Sequence, residues 1–243
     1  MGSRYNPSIV NDGLAFAVDA ANKKSYPGSG TTWINQVSNN HGSFAGSPTF
    51  SNGTNQFNGA TWVTFQDEQP LRFKERAPMT YEAWCKPTTA WPNTSWRGII
   101  DKENNPGSGR AGYTMWLHHD PTSGLYRFAV ERFVSGSAVY SQFDTTDSSI
   151  ILNKFHHIVG TYDGNDLRIY QNGILKSSTA DTRNVEDESI AIGVANRRST
   201  YGENGFTSNN AFIGSVPIAR IYNKALSVSE IIHNYNALKS RFV

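Results

Sequence analysis

The chain of 243 residues is 37% hydrophobic and 12% aromatic but 17% charged, with 21 Gly, 10 Pro and one Cys. Charged residues fall below the roughly 25% usual in soluble globular domains, and Asn, Ser, Thr and Gly make up the difference, which excludes coiled coils and charged disordered tails. Twenty-two Lys and Arg against twenty Asp and Glu leave a net charge of +2 without a long run of one sign, so no basic stripe marks the chain for nucleic acid or an anionic membrane surface.

No apolar stretch approaches the roughly 20 residues that span a bilayer, and residues 1–6 do not resemble a signal peptide. All-β units commonly reach about 200–250 residues, so residues 1–243 are read as one domain. Short runs of Val, Ile, Phe, Tyr, Trp and Thr are separated by Gly, Asn, Asp or Pro. They predict strands at 14–19, 62–65, 79–86, 97–102, 113–119, 125–133, 138–143, 155–163, 167–171, 174–178, 190–194 and 212–222. Strands with turn signals at this spacing describe a sandwich or a barrel.

Period-2 alternation assigns faces. Tyr113, Met115 and Leu117 share one side of their strand and Thr114, Trp116 and His118 the other; Tyr126, Phe128 and Val130 lie opposite Arg127, Ala129 and Glu131. The aliphatic sides are read as core, which leaves Trp116, His118, Arg127 and Glu131 on a sheet exterior. Trp62 and Trp84 are assigned to the core. Asp163-Gly164-Asn165-Asp166 and Asn172-Gly173 are tight-turn signals, the second favouring type I′, and together they predict a three-stranded meander. Ser227 and Glu230 fit a capping box ahead of Ile231, Ile232, Tyr235 and Leu238, predicting a C-terminal helix against an edge or end of the sandwich. Residues 22–30 and 197–210 read as surface loops.

Three blocks now carry a resemblance. The run from Phe155 through His156-His157-Ile158-Val159-Gly160-Thr161-Tyr162 to Gly173-Ile174-Leu175 resembles the hairpin of the concanavalin A-like lectin/glucanase superfamily in its laminin-G-like form. Residues 79–87 resemble the family's early core strand, and residues 212–231 its closing strand and short helix. The resemblance implies an all-β, concanavalin A-like jelly-roll sandwich of two antiparallel sheets with a short C-terminal helix. Residues 13–33 also resemble laminin-G-like modules of phage and viral structural proteins.

That fold hosts both enzymes and binding modules, so the residues must decide. A retaining glycosidase needs two carboxyl groups about 5–5.5 Å apart. Asp101 with Glu103 and Glu186 with Glu188 have the i, i+2 spacing, but neither pair stands in the acidic pattern of the family's glucanases. Their neighbours place them near turns, as solvated carboxylates. The single Cys85 lies in a core strand and reads as a small buried hydrophobe. Successive residues of His118-His119 and His156-His157 point to opposite faces, which is wrong for joint chelation. Many laminin-G-like modules hold calcium, for which Asp101, Glu103 and Asn104 are the candidate ligands and Asp163 and Asp166 a second group; for the latter pair a turn-forming role is favoured.

Trp91, Trp96, Trp116, His118 and Arg127 fall within one stretch and are the candidate ligand contacts: aromatic faces stack on sugar C–H surfaces, and polar groups pair with hydroxyls. Exposed aromatics could equally form a protein interface. The expectation is a non-enzymatic binding or structural module on a virion surface, made in the host cytoplasm. Its expected partners are capsid proteins or host glycans, with self-association as a further candidate; nucleic acid and membrane insertion are not expected. The alternatives are an extracellular or cell-surface lectin and a glucanase-type hydrolase.

Overall fold

A computed structural model describes residues 8–88, 95–104, 111–134, 137–144, 146, 150–185, 190–197, 206 and 208–243. Its strands in chain order are β1 (Leu14–Asp19), β2 (Thr32–Trp33), β3 (Gly42–Ala45), β4 (Thr49–Ser51), β5 (Thr54–Asn58), β6 (Trp62–Phe65), β7 (Met79–Pro87) and β8 (Ser95–Asn104). There follow β9 (Ala111–Asp120), β10 (Leu125–Val134), β11 (Ser137–Asp144), β12 (His156–Tyr162), β13 (Asp166–Gln171), β14 (Ile174–Ala180), β15 (Ile192–Val194) and β16 (Ile213–Tyr222). The helix α1 (Val228–Leu238) closes the order, continued by a 3₁₀ turn at Lys239–Arg241.

All pairings between these strands are antiparallel. Sheet A runs β14-β13-β12-β7-β16-β5-β4 with β1 also on β16, and sheet B runs β11-β10-β9-β8-β15-β6-β3-β2. Alternation puts Tyr81, Ala83, Cys85, Ile158, Ile169 and Ile221 of sheet A in one core cluster with Val63, Phe65, Met115, Leu117, Phe128 and Val130 of sheet B. Cys85 is fully buried there, and burial pushes its thiol pKa up, so it behaves as the hydrophobe expected. His156 faces the core, where Gln171 Nε2 lies 2.9 Å from its Nδ1, whereas His157 faces outward beside Glu82.

The meander forms as expected. Asn172 and Gly173 both have positive φ, 53° and 83°, the pair of conformations that a type I′ turn requires. Asp163 Oδ1 accepts the backbone N–H groups of Asn165 and Asp166 at 2.9 Å, so its role is turn formation. Four short strands, β2 to β5, are not legible in the sequence because they are held by pairing and carry little alternation. In the same region residues 22–30 are no mere surface loop: Tyr26 packs in the core against Phe44 and Phe50.

α1 is capped as its sequence signals. Glu230 N–H donates to Ser227 Oγ at 3.3 Å and Ser227 N–H to Glu230 Oε2 at 2.8 Å. Ser227→Ala therefore lowers stability by about 1 kcal/mol, read as a shift in the urea unfolding midpoint; an unchanged midpoint would show that the cap contributes nothing.

The helix does not sit at an edge or end. It lies on the outer face of sheet A, where Ile231 joins Val159, Tyr170 and Tyr222, and Ala237 and Leu238 join Trp84 and Ile218. Trp84 is accordingly buried outside the inter-sheet core, stacked on Tyr235 and Phe242 with centroids 5.7 and 4.6 Å away. Trp62, the other tryptophan assigned to the core, is half-buried and alternates to the outer side of sheet B, since Val63 and Phe65 point inward. Trp33 takes the core position, stacked on Phe44 at 5.9 Å. Beneath α1, Arg220 Nη1 donates to Glu82 Oε1 at 2.5 Å and Asn234 Nδ2 to Glu82 Oε2 at 2.7 Å.

Candidate functional site

The outer face of sheet B carries most of the candidate contacts. Register aligns Trp96 of β8 with His118 of β9, His118 with Arg127 of β10, and Arg127 with Asp144 of β11. Residues directly opposed in antiparallel strands share a face, so these four side chains form one row across four strands. Trp116 stands one step along β9, opposite Gly98 and Ala129.

Trp96 is 45% exposed and stacks on the His118 ring at 4.9 Å with an interplanar angle of 27°. The stacked pair leaves the Trp96 indole open to solvent. Trp116 meets His118 edge-on at 6.2 Å, but at 3% exposure it is a buried wall of the site, its indole N–H without a partner among the described residues. Burial first, and then the charge of Arg127, lower the pKa of His118 and favour the neutral imidazole. Arg127 Nη2 lies 3.7 Å from Asp144 Oδ2, close enough for attraction and too long for a good hydrogen bond. Asp144 is instead held by the hydroxyl and N–H of Thr146, which with Arg127 lower its pKa despite partial desolvation.

Further along the same face the carboxylates are sealed. Gly98 has no room for a side chain, since an added Cβ would lie 2.1 Å from the carbonyl of Asn196. The chain after β15 therefore passes directly over the sheet, and Arg197 reaches down from it. Its Nε donates to Glu103 Oε2 at 3.0 Å and its Nη2 to Glu131 Oε2 at 3.1 Å. Asp101 and Glu103, expected as solvated carboxylates near turns, are fully buried inside strand β8. Neither is placed to meet an incoming sugar.

The candidate calcium ligands do not converge. Asp101 and Glu103 point to the outer face, opposite Thr114 and Gly112, whereas Asn104 shares the inner side of β8 with Lys102. Calcium wants six to eight oxygens around one point, and strand alternation turns the Asn104 side chain away from Asp101 and Glu103. Asp163 and Asp166 are both ion-paired with Arg168. Among the described residues no group of three or more His, Cys, Asp or Glu could hold a metal ion. Of the remaining candidates, Trp91, Glu186 and Glu188 lie outside the described residues, as does much of 197–210.

Cavities occur away from the aromatic row. One of about 620 Å³ opens between β1 and the end of α1, beside Asp19, Arg220 and Arg241, and one of about 460 Å³ is lined by residues between Lys24 and His41. Neither is lined by Trp, Tyr or Phe. Sequence reasoning found four of the platform's residues but missed Asp144, which faces Arg127 only through the β10–β11 register.

Comparison with known proteins supports the architecture. The binding domain of Paraclostridial Mosquitocidal Protein 1 superposes with a TM-score of 0.64 at 16% identity, over 93% of this chain and 52% of that one. The binding domain of botulinum neurotoxin DC, in complex with SialylT, gives 0.66 at 14%, over 94% and 52%. Domain 4 of an extracellular arabinanase from Geobacillus stearothermophilus, in complex with arabinotriose, gives 0.56 at 14%, over 91% and 98%. The chain thus spans about half the length of the toxin binding domains it matches. No curated protein sequence matches it. The laminin G family described as concanavalin A-like lectin/glucanases superfamily matches residues 57–232, and with two antiparallel sheets sharing one core, the chain belongs to that superfamily.

Proposed function

We propose that this chain is a non-catalytic carbohydrate-binding module that uses the outer face of sheet B. The observation that carries the reading is the row Trp96–His118–Arg127–Asp144: an exposed aromatic platform joined to a donor and an acceptor on rigid strands. A sugar ring laid on Trp96 would present its hydroxyls to Arg127 and Asp144. Aromatic stacking and paired polar groups are what a shallow glycan site needs, and strands hold their backbones in place. The arabinanase domain that superposes on this chain adds support, since it holds arabinotriose.

The carboxylates among the described residues support a non-catalytic role. A glycosidase needs one acid that can give a proton to substrate and another that can reach the anomeric carbon or a water. Asp101 and Glu103 are fully buried, with Glu103 and Glu131 tied to Arg197.

Trp96→Ala is expected to weaken binding on a glycan array by about tenfold, equivalent to about 1.4 kcal/mol, while leaving the unfolding midpoint unchanged because the ring is half-exposed. A clean negative array for the unaltered protein would sink the reading. For context, we favour a virion surface over a cell-surface lectin. The lone thiol is buried and unpaired, which suits folding in a reducing cytosol. Capsid, portal or tail genes beside this one would support that placement, and a neighbourhood of secretion genes would count against it.

A further inference from the structure

We propose that the sheet B row selects uncharged, hydroxyl-rich sugar rings and rejects acidic ones, with Arg127 and Asp144 holding neighbouring hydroxyls while Asp120 and Asp144 together exclude a carboxylate. The proposal rests on the reading of this face as the glycan-binding one.

Its ground is the company that Arg127 keeps. Asp144 is directly opposite on β11, with 3.7 Å between Nη2 and Oδ2. On the other side, Asp120 of β9 lies on the same face as His118, diagonal to Arg127 and about 7–8 Å away by sheet geometry. Each carboxylate is anchored by its own turn. Asp120 accepts the N–H of Thr122 at 2.9 Å and the hydroxyl of Ser123 at 2.7 Å, and Asp144 accepts the N–H of Thr146 at 2.9 Å and that residue's hydroxyl. These hydrogen bonds favour the rotamers that keep both carboxylates near Arg127. The same hydrogen bonds hold both acids below the usual carboxylate range, so both are ionised at neutral pH.

The facing imidazole of His118 adds no compensating charge, since burial and Arg127 favour its neutral form. The row and its diagonal neighbour Asp120 therefore set one positive charge against two negative ones. A carboxylate brought to Arg127 would sit beside Asp144 and be repelled. A pair of adjacent hydroxyls meets no such conflict: one accepts from the guanidinium and the other donates to Asp144.

The test is titration of the full chain with matched probes at one salt concentration: lactose against 3′-sialyllactose, and cello-oligosaccharides against their uronate counterparts, with arabinotriose as a further neutral probe. The expected result is binding of a neutral probe about tenfold or more tighter than its acidic partner. The variant Asp120→Asn keeps its turn acceptor and leaves the Arg127 and Asp144 contacts with the sugar hydroxyls in place; it is expected to strengthen the acidic probe by about threefold and leave the neutral one unchanged. Trp96→Ala is expected to weaken both by about tenfold. If the acidic member binds as tightly as its neutral partner, or Asp120→Asn leaves the ratio unchanged, and Trp96→Ala still weakens binding, the selectivity is overturned and the glycan-binding face stands. If no probe binds, or Trp96→Ala has no effect, the reading of the face fails and the selectivity with it.

Discussion

Glu82→Ala is expected to destabilise the protein by about 3–5 kcal/mol, the cost of leaving a buried charge without its partner. For a chain of this size that corresponds to a fall in unfolding midpoint on the order of 10 °C. Glu82 lies on the outer face of sheet A with no exposed surface, and its two carboxylate oxygens take Arg220 at 2.5 Å and Asn234 at 2.7 Å. Asn234 belongs to α1 and also donates to the Tyr222 hydroxyl at 3.0 Å, while its own Oδ1 accepts the N–H of Val10 at 2.9 Å. The carboxylate is therefore the point at which helix, sheet and amino-terminal segment are joined. Removing it strands the Arg220 guanidinium under a helix. A double variant, Glu82→Gln with Arg220→Met, removes both charges and is expected to recover much of the loss.

The same group sets a dependence on acid. Burial alone would raise the Glu82 pKa, but the charge of Arg220, the His157 ring 3.4 Å away and the hydrogen bond from Asn234 outweigh it and bring it to about 2. A depressed folded-state pKa contributes stability that is fully present above the ordinary value of about 4.5 and is lost as pH falls toward 2. Urea unfolding should accordingly show the stability gap between the unaltered protein and Glu82→Gln narrowing between pH 4.5 and 2. A gap constant over that window would refute the account.

Arg197→Met is expected to cost a comparable amount, about 3–5 kcal/mol, through the opposite sign of imbalance. Arg197 is the clamp between two carboxylates of sheet B, with 3.0 Å to Glu103 and 3.1 Å to Glu131, both buried. Without it, two buried carboxylates lose the cation they share, beneath a segment that passes within contact of Gly98. Rescue distinguishes this cause from simple loss of packing. Adding Glu103→Gln and Glu131→Gln to the Arg197→Met protein should restore much of the lost stability, measured by denaturant unfolding. A triple variant no more stable than Arg197→Met would assign the loss to packing instead.

The local sequence carried a great deal. Strand interiors such as Tyr113-Thr114-Met115 and Tyr126-Arg127-Phe128 declare their faces because side chains alternate with a period of two, whatever lies beyond them. The Asn172-Gly173 turn and the Ser227–Glu230 cap are likewise complete within a few residues, so their geometry follows from their own hydrogen bonds and φ preferences. Trp96, His118 and Arg127 could be nominated from type and alternation alone.

What alternation cannot say is which of two faces a distant segment will cover. Trp84 reads as core on its strand, and is buried, but under α1 and not between the sheets, because a helix some 150 residues later docks on that side. Asp101 and Glu103 read as exposed acids until Arg197, far along the chain, closes over Glu103. Asn104 sits next to Glu103 in sequence and on the opposite side of the strand, which only strand pairing makes visible.

The sequence by itself therefore determined the all-β class, the strand faces, the turns, the helix cap and the family. The tertiary structure alone decided that Trp96, His118, Arg127 and Asp144 form one row, and that the nearby acids are sealed from substrate. The physical reason is that faces and turns depend on neighbours along the chain, whereas register and the covering of a sheet depend on contacts between residues tens to hundreds of positions apart.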